Sequence, residues 1–240
     1  MAGKTKVDII KEGLVAYFDV GNPRSHVPTN ERTGFVGIRN IARNFSKKNR
    51  SEFLSNDAIK RYPTYLNENG GIYDFNGTND GLNILPVEVY EYGTNEGLTF
   101  GFWLKIEVVP ALDGYQIIYN KGNNWGAQIL ADGSNNYRIY TYYNSLGVTY
   151  EALNQTKLKI NLWYNIVFTT KDGESDGAVY INGIPENGVF IDNAYVIPLF
   201  IGTSLGANFF KGQISNILFY EKSLNQSEIL QNYNALKYRF

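Results

Sequence analysis

The sequence predicts an all-β fold of antiparallel strands closed by one C-terminal α-helix. Three observations carry that expectation. Short runs rich in aromatic and β-branched residues recur along most of the 240 residues, divided by Gly, Asn and Asp turn signals. No helical period stands between these runs, so they should pair antiparallel rather than through βαβ crossovers. A capping-box signature then opens a single amphipathic segment near the end of the chain.

Composition narrows the chemistry. Aromatic residues make up 15% of the chain, with 19 Tyr and 14 Phe, which suits strands. There is no cysteine, hence no disulfide framework, thiolate metal site or cysteine nucleophile. The single histidine, His26, excludes a His-pair metal motif within one chain, and beside Ser25 it reads as a loop residue rather than a base. A formal charge of −1 argues against general nucleic-acid binding. No apolar run reaches the length of a membrane span, and Met1–Lys11 is too short and too charged for a signal peptide. The expected organisation is an N-terminal arm over residues 1–12 followed by one domain over 13–240, long enough to bury a core without staples.

The elements follow in order. Gly13–Asp19 (GLVAYFD) is the first strand candidate, ended by Gly21-Asn22-Pro23. Residues 24–61 lose the strand rhythm, and Glu31–Arg61 holds eight basic against three acidic residues, a net +5 that leaves −6 for the remainder. That stretch reads as a long solvated loop with a few short strands; as a docking surface it would offer Arg43, Lys47, Lys48 and Arg50 to an acidic partner. Gly71–Ile84 looks like a hairpin with its tip at Asn76–Gly81. Along Gly97–Glu107, Leu98, Phe100, Phe102 and Leu104 share one face, and Thr99, Gly101, Trp103 and Lys105 share the other. Short strands follow over Tyr115–Asn120, Trp125–Ala131, Tyr137–Tyr143 and Gly147–Leu153.

The clearest pair lies between Trp163 and Gly183. Trp163–Thr169 is aromatic and β-branched, Lys171–Gly177 turns, Ala178–Ile181 restarts a strand, and Asn182-Gly183 turns again. The rest of the sheet should assemble around this pair, with Trp163 anchoring the core. Strands are further expected over Gly188–Asp192, Leu199–Gly202 and Lys211–Tyr220. In the closing helix Asn225 is the N-cap, Glu228 completes the capping box, Leu224 and Ile229 form a hydrophobic staple, and Ile229, Tyr233 and Leu236 share the docking face.

Four stretches carry a resemblance. GLVAYFDVGNP (Gly13–Pro23), GGIYDFNGTND (Gly70–Asp80), WYNIVFTTKDGESDGAVYINGI (Trp163–Ile184) and FIGTSLGANFFKGQISNILFYEKSLNQSEILQNYNAL (Phe200–Leu236) occur in the order seen in laminin-G-like, concanavalin A-like jelly-roll domains, which the chain resembles over most of its length. The resemblance implies an antiparallel two-sheet jelly-roll sandwich with one short C-terminal α-helix. It implies no single function, because the fold hosts lectins, glycanases and structural modules. Copies that begin and end as this chain does look most like virion proteins of tailed bacteriophages. The first expectation is therefore a non-enzymatic virion component of head, neck or tail, made in the host cytoplasm and docking on other virion proteins, with a homo-oligomer compatible. The alternative is a carbohydrate-binding module for host-surface glycan.

The resemblance also suggests calcium, which many relatives hold between an early loop and a late strand. The matching positions here carry Asn40 and Ser215 in place of aspartates, with Arg43 alongside. Calcium favours several oxygens with net negative charge, so no tightly held calcium is expected; Asn79 and Asp80 remain the weak metal candidates, better read as turn residues. Retaining glycan hydrolysis needs two carboxylates about 5–5.5 Å apart, and Glu88, Glu91, Glu174 and Asp176 all fall in apparent loops. Sugar binding needs aromatic faces and amide hydrogen bonds; Asn123, Asn124, Trp125, Tyr140 and Tyr142 are the candidates, set against ordinary strand packing or a Tyr-rich protein interface.

Overall fold

Alternation along each strand sorts side chains onto two sheets, and their inner faces meet in an aromatic core. The computed structural model describes residues 7–22, 24, 26–27, 37–38, 63–84, 97–108, 114–121, 125–131, 136–145, 148–170, 177–186, 199–203 and 208–240. With strands numbered along the chain, the larger sheet holds, in spatial order, Ile184–Glu186 (β14), Gly177–Ile181 (β13), Trp163–Thr170 (β12), Leu98–Ile106 (β7), Lys211–Tyr220 (β16), Ile72–Asn76 (β5) and Thr64–Leu66 (β4). Leu14–Phe18 (β1) pairs with the second half of β16, beyond the stretch that pairs with β5. The smaller sheet runs Val148–Leu153 (β11), Tyr137–Ser145 (β10), Trp125–Ala131 (β9), Tyr115–Lys121 (β8), Leu199–Ile201 (β15) and Leu82–Ile84 (β6). A two-residue ladder joins His26–Val27 (β2) to Gly37–Ile38 (β3) inside the stretch read as a loop. All the pairings are antiparallel.

The centre of the larger sheet is β7 beside β16, not the β12–β13 pair, which lies toward one edge. Strand β7 is buried on both faces for two different reasons. Its inward residues Phe100 and Phe102 join Tyr119, Phe168 and Phe219 between the sheets. Phe100 stacks on Phe219 at 4.4 Å between centroids and meets Tyr119 edge-on at 5.1 Å, geometries that add to plain area burial. Its outward Trp103 lies under the C-terminal helix Gln226–Leu236 (α1), stacked on Tyr233 at 5.6 Å and Phe240 at 4.5 Å. Ile229 and Leu236 bury beside it, as their helical spacing requires.

The helix starts as its sequence dictates. Asn225 Oδ1 accepts from the backbone N–H of Ser227 and Glu228, and Glu228 Oε2 accepts from Asn225 N–H. Ahead of β1, the 7–11 stretch docks on the same helix: Ile10 N–H donates to Asn232 Oδ1 at 2.7 Å, and Gln231 donates to the Asp8 carbonyl.

Two further sequence expectations are corrected. Gly71–Ile84 is not a hairpin, because β5 belongs to the larger sheet and β6 to the smaller. The Asn76 side chain accepts from the N–H groups of Thr78, Asn79 and Asp80, and Asp80 accepts from Asn76 N–H. This side-chain-closed turn carries the chain across the sandwich instead of back along one sheet. Trp163 does not anchor the core between the sheets. It is half-buried on the outer face, against Phe240 at 4.6 Å and below Lys105 Nζ at 5.9 Å, because it shares the face of Asn165 and Val167 rather than that of Ile166 and Phe168. The expected strand Gly188–Asp192 and the turn residues 171–176 lie outside the described residues.

Candidate functional site

Strand β10 decides which tyrosines can meet a ligand. Tyr137, Ile139 and Thr141 bury toward the core, whereas Arg138, Tyr140 and Tyr142 stand half-buried on the outer face of the smaller sheet. Register then places their neighbours. Tyr142 lies opposite Gly126 on β9, which lies opposite Asn120 on β8; Tyr140 lies opposite Gln128. Asn120, Gly126 and Tyr142 thus form one row across three strands, with Glu151 of β11 next to Tyr142.

Gly126 is required by that row. A β-carbon there would fall 2.7 Å from Tyr142 Oη and 2.7 Å from the Tyr119 carbonyl. Without it, the Tyr142 ring lies across β9 and its hydroxyl accepts from Asn120 Nδ2 at 2.5 Å. Asn120 is only 2% exposed, and its Oδ1 is buried without a hydrogen-bond partner. Tyr140 stacks beside Tyr142 at 6.2 Å and 28°. Burial, together with the hydrogen bond and charge of Glu151, pushes the Tyr140 phenol above its ordinary range. Burial also raises Tyr142, against the opposing hydrogen bonds of Asn120 and Gln128. Both phenols therefore stay protonated at neutral pH. Tyr115 at 40% and Leu153 at 43% exposure flank the patch. The result is two aromatic faces with the Gln128 amide and the Glu151 carboxylate beside them and the buried Asn120 amide supporting Tyr142 from below, suited to binding a polyhydroxylated ligand.

The other sequence candidates fall as follows. Trp125 opens β9 opposite Tyr143, and its side chain is outside the described residues, as are Asn123, Asn124, Arg43, Lys47, Lys48, Arg50, Asn40, Glu88, Glu91, Glu174 and Asp176. His26 pairs with Ile38 in the short ladder. Asn79 and Asp80 spend oxygens on the crossover turn, Asn79 Oδ1 on Asn76 Nδ2 and Asp80 Oδ2 on Asn76 N–H. Among the described residues, no group of three or more His, Cys, Asp or Glu side chains could hold a metal ion.

Ser215 does lie in an oxygen-rich place, but that place already contains a cation. Its hydroxyl donates to the Gly71 carbonyl at 3.0 Å, and the Arg239 guanidinium reaches in from the end of the chain to bond Asp19 Oδ1 at 2.7 Å. With that group in position, the residues do not accept a calcium ion. Sequence reading missed Asp19 and Arg239, because 220 positions separate them and no local pattern links them.

A family model described as the concanavalin A-like lectin/glucanases superfamily matches residues 64–230. The chain belongs to this superfamily. This member of the concanavalin A-like superfamily has no match among curated protein sequences. Its fold is similar to domain 4 of an extracellular arabinanase from Geobacillus stearothermophilus, solved with arabinotriose, at TM-score 0.64 and 16% identity over 92% of this chain and 98% of that one. It is also similar to botulinum neurotoxin type C, which depends on interaction with two ganglioside molecules to gain access to cells (TM-score 0.64, 14% identity, 95% of this chain and 52% of that one). A third similar structure is the Trypanosoma rangeli sialidase with the inhibitor DANA (TM-score 0.59, 17% identity, 96% and 35%). The chain spans nearly all of the arabinanase domain, about half of the toxin chain and about a third of the sialidase. At these identities the likeness is one of fold.

Proposed function

We propose that this chain is a non-catalytic glycan-binding module whose ligand lies across the outer face of the smaller sheet, over Gln128, Tyr140 and Tyr142. The observation that carries the reading is the Tyr140–Tyr142 stack, in which Gly126 leaves room for the Tyr142 ring to lie across β9 and be held by Asn120. Aromatic faces cover the apolar side of a sugar ring, and amides and phenols hold its hydroxyls. Similar folds solved with arabinotriose, or dependent on gangliosides, favour recognition over a purely structural role. The setting we propose is a bacteriophage particle, on the resemblance of the two ends of the chain, with a host-surface glycan as the partner.

A glycan array run on the full chain tests the site. Binding to a defined oligosaccharide, lost in Tyr140→Ala but kept when exposed Ile184 on the other sheet is changed to Ser, is the expected result. No binding to any glycan, or binding that survives Tyr140→Ala and Tyr142→Ala together, would sink the assignment. Mass spectrometry of purified particles tests the setting separately.

A further inference from the structure

The cluster around Arg239 has the construction of a cation site. Strand β16 pairs with β5 over Lys211–Ile214 and with β1 over Ile217–Tyr220. Against β7 its register slips between Ile214 and Ile217, so Ser215 and Asn216 form a bulge at the gap where β5 and β1 fail to meet. Bulges leave polar groups outside the ladder. Here the gap is lined by oxygen: the carbonyls of Asn69, Gly70 and Gly71, Asp19 Oδ1, Ser215 Oγ and Asn216 Oδ1. The lining is held rigidly, because the Gly70 carbonyl presses where a β-carbon of Gly21 would sit, and Asp19 is fixed by the Tyr17 hydroxyl at 3.1 Å and Gly21 N–H at 3.1 Å. Asn69 and Gly70 are exposed, but Gly71, Ser215 and Asn216 are buried and Asp19 is half-buried, and oxygens facing one another there without a positive charge are costly to bury.

Arg239 supplies that charge. Its Nη1 donates to Asp19 Oδ1 at 2.7 Å and Asn216 Oδ1 at 3.2 Å, its Nη2 to Gly70 O at 2.9 Å, Gly71 O at 3.4 Å and Ser215 Oγ at 3.4 Å, and its Nε to Asn69 O at 3.1 Å. We propose that this is a cation site which the chain fills with its own Arg239. Arg239 stands where a calcium ion would otherwise be needed, makes the domain independent of calcium, and latches the C-terminal segment over Trp103 and Trp163 through the adjoining Phe240. A guanidinium suits the place because its donors fan out in one plane toward several carbonyls at once.

Thermal unfolding of the full chain, in chelator and in millimolar calcium chloride, tests this. The wild-type midpoint should be the same in both. The R239A midpoint should fall by several degrees in chelator and recover in part with calcium, and adding D19N should abolish that recovery. A wild-type midpoint that climbs with calcium overturns the proposal, because the metal then binds with Arg239 in place. R239A matching wild type in chelator overturns it, as does an R239A midpoint indifferent to calcium, or one whose recovery survives D19N. Should R239A fail to fold, R239K and R239Q decide in chelator: a higher midpoint for the lysine supports a site built for charge, and an equal or lower one refutes it.

Discussion

Replacing Tyr142 with Phe removes one oxygen and, on the geometry described here, costs far more than an exposed tyrosine hydroxyl should. Tyr142 Oη accepts from Asn120 Nδ2 at 2.5 Å, Asn120 is 2% exposed, and its Oδ1 already has no partner. The substitution leaves a buried amide unpaired at both ends. An unpaired buried polar group costs about 1–3 kcal/mol, which for a domain of this size lowers the unfolding midpoint by about 2–12 °C. Asn120→Leu removes the amide while keeping its branched shape, so Tyr142→Phe made in that background should cost less than about 1 kcal/mol, since replacing both partners with apolar groups is close to neutral. Urea unfolding of the four proteins, followed by tryptophan fluorescence, gives the cycle directly. A Tyr142→Phe cost that is equal in both backgrounds would refute the coupling, and with it the part of Asn120 in holding the Tyr142 ring over β9.

Other expectations are independent of that one. Burial pushes the Tyr17, Tyr73 and Tyr220 phenols above their ordinary range, Tyr17 with added help from the charge and hydrogen bond of Asp19. A raised acid gives stability that is complete below its unfolded value of about 10 and is lost above it, so stability should be level through neutral pH and fall from about pH 10 upward; an unchanged denaturant midpoint at pH 11 would contradict this. Burial drives the Glu228 carboxyl upward, but Lys222 and the Asn225 N–H outweigh it and hold the group below the usual range. Its contribution is present above about pH 4.3 and is lost as pH falls through the lower folded value, so Glu228→Gln should flatten the acid limb of a pH–stability curve. Asn225→Ala removes the acceptor for two helix N–H groups and should cost about 1 kcal/mol, read by chemical denaturation. Phe100→Ala empties the centre of the aromatic cluster and should cost about 3–5 kcal/mol, a loss visible as a midpoint lowered by roughly 6–20 °C.

What the sequence determined by itself is whatever its local chemistry controls. Period-two alternation set the inner face of β7 and the strands of the β8–β11 meander, and the Asn225–Glu228 capping box and the Ile229–Leu236 spacing set the helix and its docking face. At the candidate site, alternation also separated Tyr140 and Tyr142 from Tyr137 and Ile139, so those two tyrosines were legible in the sequence. Asn120, Gln128 and Gly126 were not, because they join the tyrosines only through cross-strand register, which β-bulges shift and local pattern does not encode. Tertiary structure alone decided that Asn76–Gly81 carries the chain between sheets, since the same turn chemistry serves a hairpin or a crossover. It placed Trp163 outside the core, since alternation gives two faces without saying which is inward when a helix covers the other. It also joined Asp19 to Arg239 across 220 positions, because a cation fills whichever oxygens the folded chain leaves facing one another, and no sequence spacing records where a bulge will leave them.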